Sequence, residues 1–125
     1  MAARNAYVDW IMEWLSPLGA ITVRSMMGGH VVYCNGMVFA LVAEGTLYLK
    51  GDASTRPKFQ AMGLKPFRPF PDKPGTMSYY TPPPEFFEDA DVMREWGRAA
   101  VAVGIRAQAK GKVRKVKRRH PGESA

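Results

Sequence analysis

Between Ile21 and Lys50 two dipeptides, Asn35-Gly36 and Glu44-Gly45, each separate runs of apolar and β-branched residues. Asn-Gly accepts the two positive φ angles of a type I′ turn, whose twist matches that of antiparallel strands. His30–Cys34 is therefore expected to pair with Met37–Val42, and the Glu44-Gly45 turn to bring Leu47–Lys50 alongside. Ile21-Thr22-Val23 opens the first strand, which His30–Cys34 continues or repeats. The intervening Met26-Met27-Gly28-Gly29 is read as a bend or bulge in that strand. Three meandering strands follow from turn chemistry alone, and they limit the chain to folds built on an antiparallel sheet.

The flanking segments read as helices and one further hairpin. Asn5, Asp9, Glu13 and Ser16 recur at helical spacing opposite Tyr7, Ile11, Trp14, Leu15 and Leu18, with Pro17 and Gly19 as the stop. After the meander, Asp52 or Ser54 caps a short helix that tolerates Pro57 in its first turn and ends at Gly63, with Phe59 and Met62 facing inward. Lys65–Pro71 carries three prolines that cannot donate to a ladder, so it is an edge strand if it pairs at all. Asp72–Gly75 turns into Met77–Tyr80. A last helix begins near Asp91 and buries Val92, Trp96, Ala100 and Val103, and its apolar face is lost after Gly104. The order α-β-β-β-α-β-β-α predicts an α+β, two-layer domain with an antiparallel five-stranded sheet over residues 1–105, followed by a flexible basic tail at 106–125.

A chain of 125 residues with 46% hydrophobic content builds one core. No apolar run reaches the roughly 20 residues of a membrane span, and Asp9 and Glu13 break the pattern a signal peptide needs. Cys34, the sole cysteine, cannot form an internal disulfide, which points to a cytoplasmic protein. The net charge of +7 is confined to one place. Ten Lys/Arg balance ten Asp/Glu through Ile105, whereas residues 106–125 hold eight Lys/Arg and one Glu.

Each familiar chemistry meets an obstacle. Phosphate loops place their glycines before a helix N-terminus, but Gly28-Gly29 is followed by a β run. His30 and Cys34 lie on one face of a strand but about 13 Å apart, too far for proton transfer, so Cys34 is a small apolar residue of the core or hairpin. One cysteine and two distant histidines do not make a zinc site. Glu85, Glu88, Asp89 and Asp91 precede the last helix and complement its dipole. Met26, Met27, Met37 and Met77 are read as core filling, and Tyr79-Tyr80 sends one ring to each side of its strand, leaving one exposed unless a helix covers it. Neither enzyme chemistry nor a cofactor is expected. The tail offers Lys110, Lys112, Arg114, Lys115, Lys117, Arg118 and Arg119 as a sequence-independent attraction for nucleic acid; a merely solubilising terminus is the other reading.

With the strands placed, a family pattern emerges. Arg24-Ser25-Met26-Met27-Gly28-Gly29, then Tyr33, Gly36, Phe39-Ala40-Leu41-Val42 and Leu47-Tyr48-Leu49-Lys50 with Asp52, resemble the TfoX/Sxy N-terminal domain. Phe59, Gly63, Pro66-Phe67, Met77–Tyr80 and Trp96 continue the likeness, with Met27 at a place the family usually fills with Phe. Arg24, Met26, Gly28, Gly29, Lys50, Tyr79 and Tyr80 are its marker residues here. The resemblance implies the same helix and strand order and a role in the regulation of competence genes, exercised with a transcription regulator at promoters. It supplies no catalytic residues. The expectation is a non-enzymatic regulatory module of bacterial competence-regulator type. Its body would bind a protein partner of the transcription machinery, and its tail would assist non-specific DNA binding, with no membrane contact. The alternative is a protein–protein adaptor, or a homodimer formed through the sheet, with no role on nucleic acid.

Overall fold

The computed structural model describes residues 6–26, 28–68 and 77–118, for 77 and 110–118 the backbone alone. Helix α1 (Ala6–Leu15) runs into a 3-10 turn at Ser16–Leu18. Strands β1 (Ile21–Met26), β2 (Gly29–Cys34), β3 (Met37–Ala43) and β4 (Thr46–Lys50) follow. Then come α2 (Arg56–Ala61), β5 (Pro66–Phe67), β6 (Met77–Tyr80), a second 3-10 turn at Pro84–Phe87, and α3 (Ala90–Arg118). The strands form one antiparallel sheet in the order β1-β2-β3-β4-β6-β5. The fold is α+β with helices packed on the sheet, as the sequence indicates, but the sheet has six strands where five were expected.

The extra strand comes from Met26–Gly29. Ile21 pairs with Cys34 and Met26 with Gly29, so β1 and β2 are separate strands of a hairpin rather than one bent strand. Gly28, at φ +85°, supplies the left-handed residue of the turn. The bulge lies further on: the β2–β3 register shifts between Val32 and Tyr33, which pair with Ala40 and Val38. Phe39 is thus the extra residue, and the bulge lets consecutive residues Phe39 and Ala40 both be buried. The two dipeptide turns form as predicted, with positive φ at Asn35 and Gly36 and at Glu44 and Gly45.

The core follows one cross-strand row. Val23 lies opposite Val32, Val32 opposite Ala40, Ala40 opposite Leu49, and Leu49 opposite Tyr80. Val8, Ile11 and Leu15 of α1, Phe59 of α2, Phe86, and Met93, Trp96 and Ala100 of α3 join that row in one buried cluster. Full burial of a side chain such as Leu49 or Phe86 contributes about 1.5–3 kcal/mol. Cys34 is buried here, and its thiol donates to the Leu18 carbonyl at 3.4 Å. Met62, expected inside, is half exposed, because α2 ends at Ala61 and Gly63 turns the chain away at φ +68°.

Helix α3 approaches the sheet through glycines. A Cβ on Gly104 would stand 2.3 Å from the Val38 carbonyl oxygen, and one on Gly97 would stand 2.6 Å from a Leu18 methyl. Gly104 therefore marks a close crossing over β3 in mid-helix. The helix passes it and continues to Arg118.

Candidate functional site

The row neighbouring the core row lies on the opposite face of the sheet, because successive side chains alternate. Arg24 stands opposite Val31, Val31 opposite Leu41, and Leu41 opposite Tyr48. Val31, Tyr33, Leu41, Tyr48 and Phe67 are half-buried and Arg24 is exposed. The ring of Tyr48 meets that of Phe67 with centroids 5.0 Å apart.

The family-marker residues distribute unevenly. Arg24, Met26, Lys50 and Tyr79 share the parity of this second face. Arg24 and Met26, the latter 57% exposed, stand on the outer strand β1, while Lys50 and Tyr79 form a pair three strands away. Lys50 Nζ donates to Tyr79 Oη at 3.3 Å and lies 5.0 Å from the centre of its ring. Tyr80 belongs to the core, stacked on Phe59 at 4.6 Å. Both tyrosines are buried, so neither is the exposed ring that strand alternation predicted: α2 covers Tyr80, and Lys50 lies over Tyr79. Gly28 turns the hairpin. Gly29 permits close approach of β2 to β3, since a Cβ there would sit 2.5 Å from the Val42 carbonyl oxygen.

A second locus joins the body to the basic segment. Asp52 accepts hydrogen bonds from the backbone N–H groups of Ser54 and Thr55 and from the Ser54 hydroxyl, at 3.0, 3.2 and 2.6 Å. It also receives Arg106 Nε at 2.9 Å, and Arg106 donates to Ser54 Oγ at 3.1 Å. The Arg106 guanidinium, followed by the Ser54 hydroxyl, holds the Asp52 carboxyl well below the usual carboxylate range. Sequence reasoning placed Asp52 at a cap but counted Arg106 with the tail. Its partner lies 54 residues away, and no local spacing signals such a pair. Where α3 passes Gly104, a recess of about 280 Å³ opens among Gly36, Met37, Val38, Lys50, Ala107 and Gln108.

Of the basic residues put forward for nucleic acid, Lys110, Lys112, Arg114, Lys115, Lys117 and Arg118 fall on the backbone of α3, and Arg119 lies outside the described residues. Sequence reasoning also passed over Trp10. It is 42% exposed and stacks on Trp14 at 5.7 Å, with Phe87 at 6.1 Å. The i, i+4 spacing of the two tryptophans was the available signal.

Burial pushes the Cys34 thiol up, away from the thiolate a nucleophile requires. Among the described residues no group of three or more His, Cys, Asp or Glu could hold a metal ion, and no helix is long and apolar enough to cross a membrane.

Fold and surfaces define a small α+β domain. The chain belongs to the TfoX N-terminal domain family, whose model matches residues 13–103. The match spans the body and stops before Arg106. No curated protein matches the chain closely enough to stand as a relative.

Proposed function

We propose that this chain is a non-enzymatic, cytoplasmic regulatory module of competence-regulator type, whose body binds a protein partner of the transcription machinery and whose basic segment adds non-specific attraction to DNA. The observation that carries this reading is the separation of charge along one helix. The body is electrically neutral, and the whole excess of +7 falls on residues 106–125, of which those up to Arg118 belong to α3. Lys and Arg at that density bind duplex phosphates by releasing condensed counterions and read no sequence. For the partner the body offers Trp10 against Trp14 and Phe87. The segments that carry these rings, residues 5–23 and 74–93, contain no Lys or Arg.

The test is a salt titration of duplex DNA binding by the full-length chain and by a variant with glutamine at Lys110, Lys112, Arg114, Lys115, Lys117, Arg118 and Arg119. Arg106 is left in place because it bonds to Asp52. The variant is expected to bind at least about tenfold more weakly at low salt, with a flatter dependence on log salt. Equal affinity and equal slope for the two chains would remove the basic segment from the mechanism.

A second reading, an adaptor or sheet-mediated homodimer without nucleic acid, has the outer edge of β1 in its favour. Six residues long and paired only with β2, it ends on exposed Met26, whereas the opposite edge is the two-residue β5 with Pro66.

A further inference from the structure

We infer that the face of the sheet opposite the core row is a binding surface for single-stranded nucleic acid, on which bases stack while Arg24 and Lys50 meet the phosphates. The inference goes beyond the basic segment, since it assigns a separate contact to the body.

Three features carry it. First, the face is aromatic where it is half open. Tyr33 on β2 and Tyr48 on β4 are separated by two strand spacings and a two-residue offset along the strands, roughly 12 Å, and Phe67 lies against Tyr48 at 5.0 Å. Val31, two residues from Tyr33 on β2, and Leu41 on β3 continue the row of Tyr48 as half-buried apolar residues. Every base has a π face, so a row of rings accepts single strands with little regard to sequence.

Second, the charge is of one sign. Arg24 begins this row on β1, and Lys50, of the same parity, lies at the end of β4 two residues beyond Tyr48, where it also borders the recess beside α3; no strand residue of that parity is Asp or Glu. Among the described residues neither cation lies within ion-pair distance of a carboxylate: Lys50 is bonded to the neutral Tyr79 hydroxyl. A basic peptide would find no counter-charge here, whereas a phosphate backbone would find two.

Third, duplex and single strand would use different parts of the molecule. A sheet face meets bases only when they are unstacked and unpaired, so this surface discriminates for single strands. The basic segment, which senses charge density alone, does not.

The experiment is fluorescence anisotropy of labelled oligo-dT, oligo-U and a duplex of the same length, in nuclease-treated full-length protein. Tyr48→Leu keeps apolar bulk and removes the ring, and Arg24→Ala removes an exposed cation on an outer strand. Each is expected to weaken single-strand binding by about tenfold and to leave duplex binding within about twofold. The chain neutralised at Lys110–Arg119 separates this inference from the previous reading. It should lose duplex affinity yet still bind oligo-dT or oligo-U in a manner sensitive to Tyr48→Leu. Retention of one oligomer but not the other supports the surface and identifies the sugar it accepts. Single-strand binding that vanishes with the basic segment, or that ignores both Tyr48→Leu and Arg24→Ala, overturns the inference. So does light scattering that shows a dimer dissociated by Tyr48→Leu, because the face would then be covered by a second copy.

Discussion

From Ala90 to Gly104 the last helix is held by what it covers, whereas beyond it, from Ile105 to Ala109, its side chains are exposed. The first stretch buries Met93, Trp96, Ala100 and Val103, and two glycines bring its backbone down onto Leu18 and Val38. The second has exposed positions from Ile105 to Ala109 and is tied to the body by Arg106, which bonds to Asp52 and Ser54. Packing makes the first stretch, while the second rests on the helix preference of its Ala, Gln, Lys and Arg residues. A segment with exposed side chains can change its contacts without unfolding the domain, which suits the part that carries the charge.

Proline scanning would break this comparison most sharply. Ala100→Pro should cost at least about 3 kcal/mol, because the lost hydrogen bond and the ring clash fall where the helix is docked. Ala109→Pro should leave the midpoint of urea unfolding within experimental error and reduce only the far-ultraviolet helix signal. Equal losses of stability at both positions would mean that the second stretch is packed after all.

The two glycines sharpen the account of the docked half. In Gly104→Ala the new methyl meets a backbone carbonyl, so the helix must lift, and a net loss of about 2 kcal/mol is expected after the gain in helix propensity. Gly97→Ala meets the end of the Leu18 side chain, which can rotate aside, and the change should stay within about 1 kcal/mol of zero. Chemical denaturation of both variants checks the ranking, and a reversal would show that Leu18 is the more rigid neighbour.

The smallest effect belongs to the link between the halves. Its carboxyl titrates below the normal range in the folded state, so Asp52 contributes stability above the unfolded carboxylate value near 4 and loses it as pH falls further. Stability measured from pH 6 down to pH 2 should fall less steeply in Asp52→Asn than in the parent chain. Arg106→Ala should cost under about 1 kcal/mol, since the pair is partly exposed, while Asp52→Ala should cost about 1–2 kcal/mol because two backbone N–H groups also lose their acceptor.

Most of the architecture was legible in the sequence because it is set by neighbours. Asn35-Gly36 and Glu44-Gly45 fix two hairpins through local backbone geometry, and the apolar spacing of the N-terminal segment fixes α1. Met26–Gly29 was misread because a glycine pair permits both a bulge and a turn. The choice was made by pairing along six residues, which brings Ile21 to Cys34. Tyr79 and Tyr80 were misread because alternation assigns faces but does not say what covers each face. The candidate sheet surface was likewise only half visible. Arg24, Met26, Lys50 and Tyr79 stood out as family markers, whereas the Tyr48–Phe67 contact and the shared face required strand order.

By itself the sequence determined the class of fold, the family and the location of the charge, since turn residues, periodicity and composition act over a few neighbouring positions. Only the tertiary structure decided that Met26–Gly29 closes a hairpin, that Gly104 is a crossing point rather than an end, and that Arg106 is tied to Asp52. Those outcomes depend on contacts between residues distant in the chain, where close approach of backbones and burial of side chains outweigh local preference.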